Sequence, residues 1–263
     1  MNRILILAYG VICYGIFFAV FLYLIGFNAD MLVPKSVSSG TPGAVMPAIL
    51  TNLGLIVLFG VQHTVMARPG FKRALTQWLP VPMERSTYVM ATNIVLILIM
   101  MFWQPLPGVV WSIESESAAL SIHALAGLGW VIVLISTFLT NHFDLFGLRQ
   151  VYLNAEQIEM IGQECGNQFG LRQVYLNAAK KTYTPVGFRE ILLYRWIRHP
   201  MMLGLLIAFW AIPVMTMSHL LFSLGMTLYI IVGIYFEERG LRAELGQDYI
   251  DYQQRTRRVL PFY

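Results

Sequence analysis

Charge is what this sequence has least of. Only 12% of its 263 residues are Asp, Glu, Lys or Arg, against roughly 25% in soluble domains. That shortage, with a hydrophobic fraction of 57%, excludes an ordinary water-soluble domain. Cysteine is scarce too: Cys13 lies in an apolar run and Cys165 in a polar connection, so they are not placed for a disulfide. Neither has a second Cys at metal-ligand spacing. The His residues are dispersed, with no His-x-x-x-His pair and no carboxylate cluster, which argues against a metal site. No ionised side chain interrupts the apolar runs, whereas a proton-coupled transporter usually carries one at mid-membrane.

What is present is a series of long apolar runs. Ile4 to Phe27 is too long for a signal-peptide core and has no small-residue cleavage site, so it reads as a first span rather than a cleaved leader. Ala44 to Ala67, Ser86 to Gln104 and Leu120 to Asn141 follow, each near the ~20 residues that a bilayer core requires. Met201 to Phe236 is also uncharged. Pro213, with Met215, Thr216 and Met217 after it, predicts a turn between two short helices, a helical hairpin. The expected fold is an all-α integral membrane protein, a bundle of about five to six transmembrane helices including the C-terminal hairpin, with its chemistry at the cytoplasmic face.

Basic residues are distributed unevenly along this pattern. Arg3 precedes the first span, Arg68, Lys72, Arg73 and Arg85 lie between the second and third, and most of the rest fall after the fourth. Lys35 stands alone on the other side, and Glu114 and Glu116 mark the third connection. Cytoplasmic loops are enriched in Lys and Arg, so both termini of this multi-pass protein are expected in the cytoplasm. Topology and anionic headgroups account for the net charge of +4, and no nucleic-acid partner or obligatory protein partner is implied.

The chain reads as one membrane domain: four spans over 1–141, a cytoplasmic connection over 142–200, and a hairpin with a charged tail over 201–263. The connection is long for a helical bundle. It contains a repeat, Phe-Gly-Leu-Arg-Gln-Val-Tyr-Leu-Asn-Ala, at 146–155 and again at 169–178. Two copies are too few for a solenoid. A local duplication is expected, one copy structural and the other a surface excursion. Leu148, Val151, Tyr152, Ala155, Ile158 and Ile161 fall at helical spacing, which suits an amphipathic helix on the membrane surface.

Polar residues that suit chemistry gather at the predicted cytoplasmic ends. Arg198-His199-Pro200, with Gly204 a turn later, starts the hairpin; Pro favours the first helical position, and a helix start offers free N–H groups to an anion. Lipid phosphate would suit the same start. Glu237-Glu238 closes the hairpin and would receive a cationic ligand group, although Glu238 and Arg242 also have the spacing of a surface salt bridge. Leu241, Leu245, Tyr249 and Tyr252 keep one face of the tail apolar and aromatic. His63, Asn141, His142 and Asp144 lie at the same predicted depth as His199, where polar groups serve either function or the headgroup boundary. His123 and His219 have no such company.

Taken in order, Arg198-His199-Pro200-x-x-x-Gly204, Glu237-Glu238-x-x-Leu241-x-x-x-Leu245-Gly246-x-x-Tyr249-x-x-Tyr252, then Arg257 or Arg258 and Pro261, resemble the C-terminal signature of isoprenylcysteine carboxyl methyltransferase-like membrane enzymes. The resemblance implies that this region binds S-adenosylmethionine, through Arg198, His199, Pro200, Gly204, Glu237, Glu238, Tyr249 and Tyr252. Gln62-His63-x-x-Met66-Ala67-Arg68-Pro69, Glu84-Arg85-Ser86, Trp103-Gln104-Pro105 and 141–149 (Asn-His-Phe-Asp-Leu-Phe-Gly-Leu-Arg) resemble the NnrU-like branch, and within it the methanethiol S-methyltransferases. That implies methylation of methanethiol to dimethyl sulfide, with no metal. A thiolate is the nucleophile in such a transfer, so His142, oriented by Asp144, is the expected base, with His63 and Arg149 on the substrate side. The duplication departs from the family pattern, leaving Arg149 and Arg172 as alternatives for one family position. A sister methyltransferase acting on another thiol or on an isoprenylcysteine carboxylate shares the C-terminal signature, and a non-enzymatic NnrU-like membrane protein is the remaining reading.

Overall fold

The computed structural model of the protein describes residues 3–140, 142–148, 150–151 and 192–259. In chain order the elements are α1 (Arg3–Ala29), α2 (Val45–Met66), α3 (Pro69–Leu75), α4 (Glu84–Phe102), β1 (Val109–Ser112), α5 (Glu116–Leu139) and α6 (His142–Leu145). After the connection come α7 (Pro200–Trp210), β2 (Val214–Thr216), α8 (Met217–Leu245) and α9 (Gln247–Arg255), and single 3-10 turns occupy Val81–Met83 and Leu192–Arg195. Within the described residues, five helices are long and apolar enough to cross a membrane, comprising α1, α2, the α4 segment, α5 and α8. A helix satisfies its own backbone hydrogen bonds, which is what allows such segments to sit in hydrocarbon. Ile4, Val57, Leu128 and Ile231 are among the large apolar side chains on their outer faces.

The C-terminal hairpin departs from the expectation of two short helices. Its first arm, α7, has 11 residues, roughly 16 Å at 1.5 Å per residue, about half a bilayer core. Its second, α8, has 29 residues and forms a full span. The break falls where expected and for the expected reason: Pro213 lacks an N–H and drives Ile212 out of helical geometry. A small β ladder fills the gap, which corrects the purely α expectation. β1 and β2 pair antiparallel, with Val109 opposite Thr216 and Ser112 opposite Val214. Trp111 Nε1 adds a bond to the Ile212 carbonyl at 3.1 Å. The ladder puts the hairpin turn beside the loop that joins α4 to α5.

The described residues divide into two compact units, each assembled from three separated stretches. One takes the described parts of Met1–Leu22, Phe59–Ile97 and Thr137–Gly187. Its polar ties cross between helices: Tyr9 Oη meets Thr87 Oγ1 at 3.1 Å, and Arg85 Nε donates to the Leu145 carbonyl at 2.9 Å. Gly147, at φ +82°, lies so close to α4 that a Cβ there would come within 2.6 Å of Ser86 Oγ and 2.7 Å of its amide nitrogen. Only glycine meets both demands. Four residues on, Val151 is buried in the notch over Gly10 and packs with Ile6 and Met83. The start of the first duplicated copy is therefore a packing element, not a strip on the membrane surface. The second copy and the rest of the first lie outside the described residues, as does Cys165.

The other unit takes Tyr23–Leu58, Leu98–Ser136 and the described part of Phe188–Tyr263. Trp103 is its pivot, buried against Phe222 and donating through Nε1 to Ser218 Oγ at 3.0 Å. Asn52 and Gln104 exchange two hydrogen bonds of 2.8 Å, so the Trp103-Gln104 motif anchors helix ends here. His219, expected without polar company, is fully buried, 3.9 Å from Asp30 through Nδ1, with Nε2 3.3 Å from the Phe209 carbonyl. Burial opposes the charged form of Asp30, but the facing His219 and hydrogen bonds from Ser36 and Ser38 outweigh it and hold the carboxyl below its usual range.

Gly204 is used for helix contact: a Cβ on Gly204 would lie 2.6 Å from the Gly129 carbonyl oxygen, and one on Gly129 equally close to that of Gly204. Small residues of this kind let membrane helices approach closely. Replacing Gly204 with Leu is expected to force α7 from α5, at a cost of about 1–3 kcal/mol or more. A lowered unfolding midpoint in detergent would show it.

Candidate functional site

The hairpin and tail bring the C-terminal motif together around one carboxylate. Glu238, from the last third of α8, is 2% exposed. Its Oε1 accepts from Arg198 Nε at 2.8 Å and lies 3.2 Å from His199 Nε2; its Oε2 faces Arg258 Nη2 at 3.1 Å. Arg242, the partner suggested by spacing, is exposed and 4.0 Å away, so the surface salt bridge gives way to a buried network of residues far apart in sequence. Arg198 also donates through Nη1 to the carbonyls of Gln253 and Thr256. The tail returns along this segment: Arg198 N donates to the Arg257 carbonyl at 2.8 Å and His199 N to that of Arg258 at 3.1 Å. Arg257 thus contributes backbone and Arg258 the guanidinium, a distinction the sequence left open.

Neighbouring positions take different parts. Glu237 is half exposed, with Oε2 3.6 Å from His199 Nδ1, so its carboxylate is open to a ligand where that of Glu238 is committed. Pro200 starts α7, and no side chain caps the helix. Gly246 separates α8 from α9 at φ +59°, ψ −131°, a conformation open essentially to glycine alone. It turns α9 so that Tyr249 and Tyr252, one turn apart, are both buried. Tyr252 Oη donates to the Tyr194 carbonyl at 2.6 Å. Burial, and then the charge of Glu238, push the Tyr249 hydroxyl up to about 12, so it stays protonated at any physiological pH.

The N-terminal unit builds a second constellation at His142. The residue is 5% exposed. Its Nε2 lies 2.8 Å from Tyr14 Oη on α1, and its Nδ1 2.9 Å from Thr137 Oγ1 in the last turn of α5. The ring stacks on Phe138 at 4.3 Å between centroids, and Phe146 and Phe143 meet it edge-on. Burial lowers the pKa of His142 below its ordinary value, so the imidazole is neutral and basic at neutral pH. Tyr14 and Thr137 were not foreseen. Thr137 precedes His142 by little more than a helical turn, a local signal, but nothing in the sequence links it to Tyr14.

His63 sits on α2 against Phe59 and Tyr88, its Nδ1 3.3 Å from Thr92 Oγ1. Asn141, Arg149 and the side chain of Asp144 lie outside the described residues, and with them the expected orientation of His142 by Asp144.

The profile of the family described as NnrU protein matches residues 52–260. The chain belongs to the NnrU family. NnrU-family membership accords with the motifs in Gln62–Pro69 and Trp103–Pro105, and the relatives are specific about the branch. A methanethiol S-methyltransferase of Mycobacterium tuberculosis is 43% identical, across 100% of this chain and 98% of its own. Methanethiol S-methyltransferase 2 of Bradyrhizobium diazoefficiens is 43% identical over 98% of this chain and 91% of its own. The methanethiol S-methyltransferase of Crocosphaera subtropica is 38% identical over 100% and 94%. No solved structure matches the chain.

Proposed function

We propose that this NnrU-family protein transfers a methyl group from S-adenosylmethionine to methanethiol, yielding dimethyl sulfide and S-adenosylhomocysteine, at the cytoplasmic face of a bacterial inner membrane. The observation that carries the reading is the full-length similarity to relatives bearing that activity's name. The uneven placement of Lys and Arg supports the cytoplasmic face.

The residues around Glu238 fit the amino-acid end of the donor. Glu237 offers an open carboxylate to its ammonium, and the uncapped start of α7 offers N–H groups to its carboxylate. Arg198, His199 and Glu238 hold that frame rigid, Tyr249 and Tyr252 pack beneath it, and Pro200 and Gly204 place α7. When bound, S-adenosylmethionine supplies an electrophilic methyl group on a sulfonium sulfur. The chain's own task is to deliver a thiolate in line with it and exclude water. His142 takes the thiol proton, its two ring nitrogens held by Tyr14 and Thr137; Asp144, expected as its orienting carboxylate, keeps a place among the proposed catalytic groups, and His63 and Arg149 stand on the substrate side. The resting state of His142 suits the role, because a neutral imidazole is the form that accepts a proton.

Headspace gas chromatography of membranes containing the protein, supplied with methanethiol, tests this directly. Dimethyl sulfide that appears only with S-adenosylmethionine is the expected result. Tight donor binding without product would instead point to the sister enzymes with other acceptors, and no donor binding would leave a non-enzymatic role.

A further inference from the structure

Both nitrogens of the His142 imidazole are engaged by protein hydroxyls, and the residue is almost wholly buried. A thiol therefore has no direct path to the group expected to deprotonate it. The half-buried Tyr14 hydroxyl, 2.8 Å from Nε2, is the way in. A phenol O–H is a better donor than an aliphatic hydroxyl, because it is far more acidic. The pairing that follows has Tyr14 donating to Nε2, while Nδ1–H donates to Thr137 Oγ1.

The surroundings of that hydroxyl suit a methylated sulfur compound. Phe17, Phe143 and Phe146 have ring centroids 6.0, 6.4 and 6.2 Å from that of Tyr14, and Phe17 and Phe146 stack at 3.8 Å. Sulfur is attracted to aromatic ring edges at about 5 Å, and aromatic faces also stabilise nearby cations. Besides Tyr14 and His142, the titratable groups carried by the elements packed here are Arg3, Tyr9, Cys13 and Tyr23 of α1, Glu84, Arg85 and Tyr88 of α4, Glu116 and His123 of α5, and Asp144 of α6.

We infer that Tyr14 is a catalytic residue that carries the proton from the thiol to His142, within an aromatic enclosure of Phe17, Phe143 and Phe146; this rests on the methyl-transfer reading above. In the step, the S–H bond breaks as its proton passes to the Tyr14 oxygen, and the Tyr14 proton passes to Nε2 of His142. The sulfur electron pair forms the new S–CH3 bond. The electron pair of the broken C–S bond stays on the donor's sulfur, which leaves as a neutral thioether. The relay then runs in reverse: Tyr14 releases a proton to water as the Nε2 proton of His142 returns to the Tyr14 oxygen, restoring the pair.

Tyr14→Phe keeps the ring and removes only the relay. The expected result is a fall of about 10²-fold or more in kcat/KM for methanethiol at neutral pH, within the range for a lost acid–base group, with donor affinity unchanged. The deficit should shrink as pH rises, and with a more acidic thiol, because solution thiolate then bypasses the relay. A purely structural role for Tyr14 would depress activity equally at every pH and with every thiol, and that outcome would overturn the assignment. Independently of turnover, imidazole nitrogen NMR of the donor-free protein should show the Nδ1–H tautomer of His142, losing its bias in Tyr14→Phe. An Nε2–H tautomer in the unsubstituted protein would also overturn it. Product from the unsubstituted protein with undiminished Tyr14→Phe activity sinks the relay alone, whereas no dimethyl sulfide from the unsubstituted protein sinks both readings.

Discussion

Replacing Glu238 with Gln is expected to abolish donor binding and to cost about 3–5 kcal/mol of stability, the usual consequence of removing one partner from a buried ion network. Arg198 and His199 would be left buried without the carboxylate they share, and Arg258 would lose the contact that fastens the tail. Two measurements separate the parts of this effect: the thermal midpoint of the detergent-solubilised protein, and the dissociation constant for S-adenosylmethionine by calorimetry. Glu237→Gln provides the contrast. That side chain is half exposed, so the midpoint should barely move while the donor binds more weakly. If Glu238→Gln kept its midpoint and its affinity, the network would not be the frame of the donor site.

His142→Gln should reduce kcat/KM for methanethiol by about 10²- to 10⁴-fold at neutral pH. Because burial lowers the pKa of His142 below 6.5, the neutral, basic imidazole persists below that pH. The midpoint of the unsubstituted protein's acid limb should therefore lie below pH 6.5, and the variant should lack that limb. The linkage to stability has the same sign. Whatever stability neutral His142 contributes is fully present above about 6.5 and declines as the pH falls through its lowered value in the folded protein. A pH–rate profile shows the first effect and a pH series of unfolding midpoints the second. An acid limb that survives in the variant would assign the titration to another group.

Long elements were legible in the sequence because their signal is additive. Twenty consecutive apolar residues without a charge exclude water-exposed structure, whatever the neighbours do. α1, α2, α4 and α5 accordingly fall within a few residues of the runs read from composition. The hairpin break was legible for a local reason, the missing N–H of Pro213. The β ladder beside it was not, because strands of three and four residues leave no period to read.

The site divides along the same line. In the sequence, the ordered spacing of Arg198, His199, Glu237, Glu238, Tyr249 and Tyr252 matched a family pattern, and the uncharged apolar runs marked the chain as a membrane protein. The packed fold alone shows which of two adjacent carboxylates is buried, that Arg258 lies nearer Glu238 than Arg242 does, that Gly204 and Gly147 are places of close approach, and that Tyr14 meets His142. Each of these depends on side chains tens to more than a hundred positions apart. Their partners are chosen by how helices pack, and packing is a property of the whole fold that no local stretch of sequence encodes.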